Sequence, residues 1–84
     1  MNENDYKFSN HLNDRIEQRD IKKEWIFDTI YNPDKMDIIA NDEIRFFRFI
    51  AEFSNICLKV VVNPITKIIV TAHFDRNKTK KGLK

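Results

Sequence analysis

Eighty-four residues make one domain of modest stability, because a chain of this length buries only about 60–65% of the surface its unfolded form exposes. Apolar residues are 42%, with seven Phe and one Trp, enough for a packed core, and one Gly with two Pro leaves no low-complexity linker. Net charge is +2, but five of the fifteen Lys and Arg fall in residues 76–84, which hold no acid, so residues 1–75 carry ten bases against thirteen acids, a net of −3. That balance excludes a broadly basic surface that coats nucleic acid, and it confines any phosphate affinity to a local cluster or to the C-terminal end.

A single cysteine, Cys57, forms no internal disulfide and fits a reducing cytoplasm. The sequence has no positive–apolar–small leader pattern and no apolar run of about 18 residues, so the expectation is a cytoplasmic protein without a membrane span. The expected organisation is one domain over residues 1–75 followed by a basic, flexible tail over 76–84.

In chain order, the alternation in Asp5–Phe8 suggests a short edge strand. Ser9 is a fitting N-cap for a helix over Asn10–Gln18, in which Phe8, Leu12 and Ile16 form an apolar stripe. His11, Arg15 and Arg19 recur with the same period on the adjacent stripe. Asp20 is the expected N-cap of a second helix over Lys22–Tyr31, with Ile21, Trp25, Ile26 and Ile30 buried and Trp25 serving as a core anchor. Pro33 ends that helix, and Asn32-Pro33-Asp34 makes a turn.

From Met36 onward the period changes to two. Strands are expected over Asp37–Ala40, Glu43–Phe53, Ile56–Asn63 and Lys67–Asp75, joined by turns at Asn41-Asp42, Ser54-Asn55 and Pro64–Thr66. The inward sets are Phe47, Phe49, Ala51 and Phe53, then Leu58, Val60 and Val62, then Ile68, Val70, Ala72 and Phe74. Tight turns make the strands an antiparallel meander. The expected fold class is α+β, with two N-terminal helices packed on one face of a four-stranded antiparallel meander sheet. The free face then carries Arg48, Glu52, Cys57, Lys59, Lys67, Thr71 and His73, besides the apolar Ile44, Phe46 and Ile50.

No His, Cys or acidic spacing suits a metal, and one glycine makes no phosphate loop, so no cofactor is expected. What the residue types do suit is metal-free RNA cleavage. His11 and His73 can move protons near neutral pH. Arg15 and Arg19, with Lys59 or Arg76, can hold a charged phosphorane, and Thr71 can donate to a phosphate oxygen. Against this stands a plainer reading, in which Arg15 and Arg19 are solvated and pair with Asp14, Glu17 or Asp20 while His11 packs at the helix start.

The run Phe8-Ser9-Asn10-His11, with Arg15 and Arg19 four and eight residues beyond the histidine, precedes a helix ending in Asn32-Pro33-Asp34. With Leu58–Val62 and Ile69–Asp75, it resembles a widespread family of small bacterial and phage proteins related to the RelE and BrnT toxins, within the barnase–colicin–RelE-like group of metal-free ribonucleases. The resemblance covers Lys7 to about Lys81. It implies a RelE-like sheet and a cleft built from the first helix and the last strands, with His11, Arg15, Thr71 and His73 as catalytic groups and Arg19, Lys59 and Arg76 binding substrate. It also implies RNA as substrate and an antitoxin protein as partner. Only Lys59 and Lys67 are expected as sheet lysines, which departs from the Lys-rich sheet of ribosome-dependent toxins. Two other readings rest on other residues: a non-catalytic interaction module of the phage-inhibitor or regulator type, or a homodimer, through the half-apolar face of Ile44, Phe46 and Ile50, and nucleic-acid binding without cleavage through the tail.

Overall fold

A computed structural model describes residues 6–79. Its elements are β1 (Lys7–Phe8), α1 (Asn10–Gln18), α2 (Lys23–Tyr31), β2 (Lys35–Ala40), β3 (Glu43–Ile50), a single 3-10 turn over Ala51–Phe53, β4 (Ile56–Asn63) and β5 (Ile68–Thr79). The class is α+β, as expected, but the sheet has five strands in the order β1-β5-β4-β3-β2. Strands β2 to β5 form the antiparallel meander, and β1 pairs parallel to β5, Lys7 facing Ile68 and Phe8 facing Ile69. The four-stranded, purely antiparallel sheet is therefore corrected to a mixed one. A two-residue strand gains its place by hydrogen bonds from Lys7 N to Lys67 O at 2.8 Å and from Ser9 N to Ile69 O at 3.2 Å.

Helix α1 starts where Ser9 Oγ accepts from Leu12 N at 3.0 Å. It ends in a double closure, Ile21 N donating to Ile16 O and Asp20 N to Glu17 O, with Asp20 at φ 56°. Asp20 is thus the residue that reverses the chain after α1, not the cap of α2; Lys22 occupies that cap and supplies no side-chain bond. Leu12 and Ile16 from α1 join Ile21, Trp25, Ile26 and Ile30 in one core with Phe46, Ile50, Leu58, Val60, Val62, Ile69 and Ala72. Both helices therefore lie on one face of the sheet.

Two parities differ from expectation. On β3 the core takes Phe46 and Ile50, with Ile44 packed against them. Phe47 and Phe49 pair with Lys59 and Cys57 and so belong to the opposite face, while Ala51 is exposed in the 3-10 turn. The side chain of Phe53 lies outside the described residues. The strand allows both readings because it is apolar on both sides; Phe47 is itself 94% buried, with the Lys35 ammonium 6.0 Å from its ring centre. The half-apolar free face made of Ile44, Phe46 and Ile50 therefore does not exist, since the helices cover it.

On β5 the pairing shifts between Val61↔Thr71 and Val62↔Ile69, leaving Val70 as an extra residue. A bulge flips the alternation beyond it. Ala72 and Phe74 face the core as expected, but Ile69 replaces Val70, which is exposed, and Ile68 is half-buried. Arg48 also changes sides: it pairs with core-facing Leu58, and its Nη1 donates to Asn32 O at the end of α2 over 2.6 Å. A guanidinium there satisfies a carbonyl that the helix leaves without a partner and complements the dipole. Glu52 lies in the 3-10 turn, and Lys67 in the turn before β5, at φ 61°. Strand β5 continues to Thr79, four residues beyond its expected end, while residues 80–84 of the expected tail lie outside the described residues. Among the described residues no helix is long and apolar enough to cross a membrane.

Candidate functional site

The residues expected to do chemistry fall into two groups. Thr71 and His73 follow the β5 bulge and point away from the helices, in cross-strand rows that run Thr71–Val61–Arg45 and His73–Lys59–Phe47. Directly paired side chains of neighbouring strands stand about 4.5–5.5 Å apart at Cβ, so Lys59 is the immediate neighbour of His73. Asp75 follows on the same face, opposite Cys57. Thr71, His73, Lys59 and Asp75 are all half-buried.

Arg19 reaches this strand from its edge. At the C-terminal cap of α1, its Nη1 donates to Ala72 O at 2.9 Å. Ser9 caps the same edge earlier, its Oγ donating to Val70 O at 3.1 Å. One guanidinium thereby closes an open strand edge and places a positive charge beside His73. The proton affinity of His73 is lowered from its usual 6.5, first by burial, then by the positive charges of Lys59 and Arg19, while Asp75 acts in the opposite direction. At neutral pH the imidazole is therefore neutral, with two cations around it. The Lys59 side chain makes no ion pair or hydrogen bond among the described residues. In contrast Arg45 is held by Glu43 at 3.0 Å.

His11 and Arg15 form the second group. Both are exposed on α1, and neither side chain makes a hydrogen bond or ion pair among the described residues. The expected ion pairs of Arg15 and Arg19 with Asp14, Glu17 or Asp20 are not among those formed. The stripe of His11, Arg15 and Arg19 thus divides: Arg19 turns in to β5, and His11 and Arg15 stay at the surface. The side chain of Arg76 lies outside the described residues. Among the described residues no three His, Cys, Asp or Glu side chains gather as a metal-binding group.

Asp75 is the member of this cluster absent from the sequence-derived candidates. The alternation His73–Asp75 carries the signal, which its place at the expected end of the strand obscures. Chemically, a neutral imidazole flanked by two cations and a hydroxyl, beside one opposing carboxylate, suits an anionic group that must lose a proton nearby. No protein-family model, no curated protein and no solved structure matches the chain.

Proposed function

We propose that this chain is a small metal-independent endoribonuclease, acting as the toxin of a toxin–antitoxin pair, with its reaction centred on His73. The supporting observation is the lowered proton affinity of His73 between Lys59 and Arg19. A base that stays neutral at cellular pH can take the proton of a ribose 2′-hydroxyl as its oxygen attacks the adjacent phosphorus. Lys59 and Arg19 then hold the phosphorane charge, and Thr71 donates to one of its oxygens. His11 and Arg15, on the helix side of the sheet, take no part in this step, and the leaving 5′-oxygen takes its proton from solvent. The antitoxin masks this face and is the product of a neighbouring gene.

The test is cleavage of single-stranded RNA by purified protein in the presence of a chelator. His73→Ala is expected to lower the rate about 10²–10⁴-fold, and Lys59→Met about 10²–10³-fold. The wild-type rate should climb as pH rises through a value below 6.5, because the neutral imidazole is the active form. Undiminished cleavage by His73→Ala overturns the proposal. Growth arrest in a bacterial host that survives His73→Ala, without RNA cleavage, identifies a non-catalytic interaction module instead.

A further inference from the structure

The two edges of the sheet are treated differently. The β5 edge is covered by β1 and then closed by the side chains of Ser9 and Arg19. Among the described residues, the β2 edge has β3 on its inner side only. Along it Met36 is 49% exposed, Ile38 68% and Ile39 49%. Strands left at an edge are ordinarily blunted by charge, proline or a bulge. Here the charges are one Lys35 and one Asp37, 4.0 Å apart, and the only irregularity lies between Ile38 and Ala40.

We propose that β2 pairs with β2 of a second copy of this chain, antiparallel about a two-fold axis at Met36, joining two sheets into one of ten strands. A two-fold axis normal to the sheet keeps both sets of helices on the same side, so each residue faces one of its own parity. Three registers place a residue of the strand's centre opposite itself. Asp37 opposite Asp37 sets two carboxylates against each other. Ile38 opposite Ile38 carries the pairing into the irregularity at Ile39. Met36 opposite Met36 uses the straight part of the strand and sets Lys35 against Asp37 of the second copy, twice. Met36 and Ile38 of both copies then form one apolar cluster across the axis. The pairing stands apart from the proposed catalysis, because β2 and β5 lie at opposite ends of the row β5-β4-β3-β2.

Single-cysteine variants test the register. Residues facing across such a ladder have Cα atoms about 4.5–5.5 Å apart, within disulfide range. Native Cys57 is 99% buried, so the unaltered chain is the control. Under mild oxidation Met36→Cys is expected to form a reductant-sensitive covalent dimer, while Asp37→Cys and Ile38→Cys form no disulfide across the axis. In sedimentation, Lys35→Glu and Asp37→Lys should each dissociate the dimer, and their equimolar mixture should restore it as a heterodimer, because every facing pair is then of opposite charge. All four positions altered are exposed or half-exposed, and far-ultraviolet circular dichroism confirms that each variant folds. A native chain that sediments as a monomer from micromolar to millimolar concentration overturns the proposal. So does cross-linking at residue 37 or 38 in place of 36, or a mixture of the charge variants that fails to associate.

Discussion

Adjacent phenylalanines on β3 serve opposite faces: Phe46 lies in the core under the helices, and Phe47 pairs with Lys59 on the other side. Phe46→Ala should cost about 3–5 kcal/mol in equilibrium denaturation, because it leaves a cavity among side chains that cannot close it. Ala51, expected inward and found exposed, should tolerate Ser with a change within about 0.5 kcal/mol. A second residue-scale prediction concerns Asp20. It sits at φ 56°, one place past the Arg19 cap of α1, where glycine is favoured because it has no Cβ to clash. Asp20→Gly should stabilise by about 0.5–1 kcal/mol and raise the thermal midpoint by a few degrees; an unchanged midpoint counts against the left-handed closure.

At the scale of elements, Ser9 has two tasks, accepting from Leu12 N and donating to Val70 O, so it starts α1 and ties it to β5. Ser9→Ala should destabilise by about 1–2 kcal/mol, and Ser9→Asp, which keeps the cap but has no proton to donate, should recover only part of that loss in the same denaturation experiment. These elements were largely legible in the sequence. The bounds of α1 and β4, the Ser9 cap, the stripes Leu12–Ile16 and Ile21–Ile30, and the inward set Leu58, Val60, Val62 all follow from periodicity and capping chemistry. What periodicity left open was the face of a strand apolar on both sides, as in β3, and a bulge that no glycine announces, as at Val70. The β1–β5 pairing escaped for another reason: two residues carry too little pattern to reveal a partner sixty residues away. Of the candidate site, residue types and the shared face of Thr71, His73 and Lys59 were readable. That Arg19 would leave the stripe of His11 and Arg15 was not, since an open carbonyl at the edge of β5 is a tertiary fact.

Across the whole molecule, a radius of gyration of 12.2 Å matches the roughly 12 Å of a single folded domain this long, so titration at β5 bears on the stability of the entire unit. His73 binds its proton less readily folded than unfolded. Between the usual 6.5 and the lower folded value, the unfolded chain therefore holds more protons, and stability falls as pH drops through that window. His73→Gln should lack this part of the slope in denaturant titrations between neutral and mildly acid pH; an identical slope would place the acid sensitivity elsewhere. The same cations that lower the proton affinity are those proposed to receive a phosphate, which links stability to function: a dianion bound between Lys59 and Arg19 offsets their effect and draws the proton back.

The sharpest measurement is the NMR titration of the His73 imidazole, with and without a 3′-mononucleotide. The midpoint is expected below 6.5 in the free protein and moves upward when the nucleotide binds, with the upward shift much reduced in Lys59→Met. A midpoint that the nucleotide leaves unchanged would contradict it.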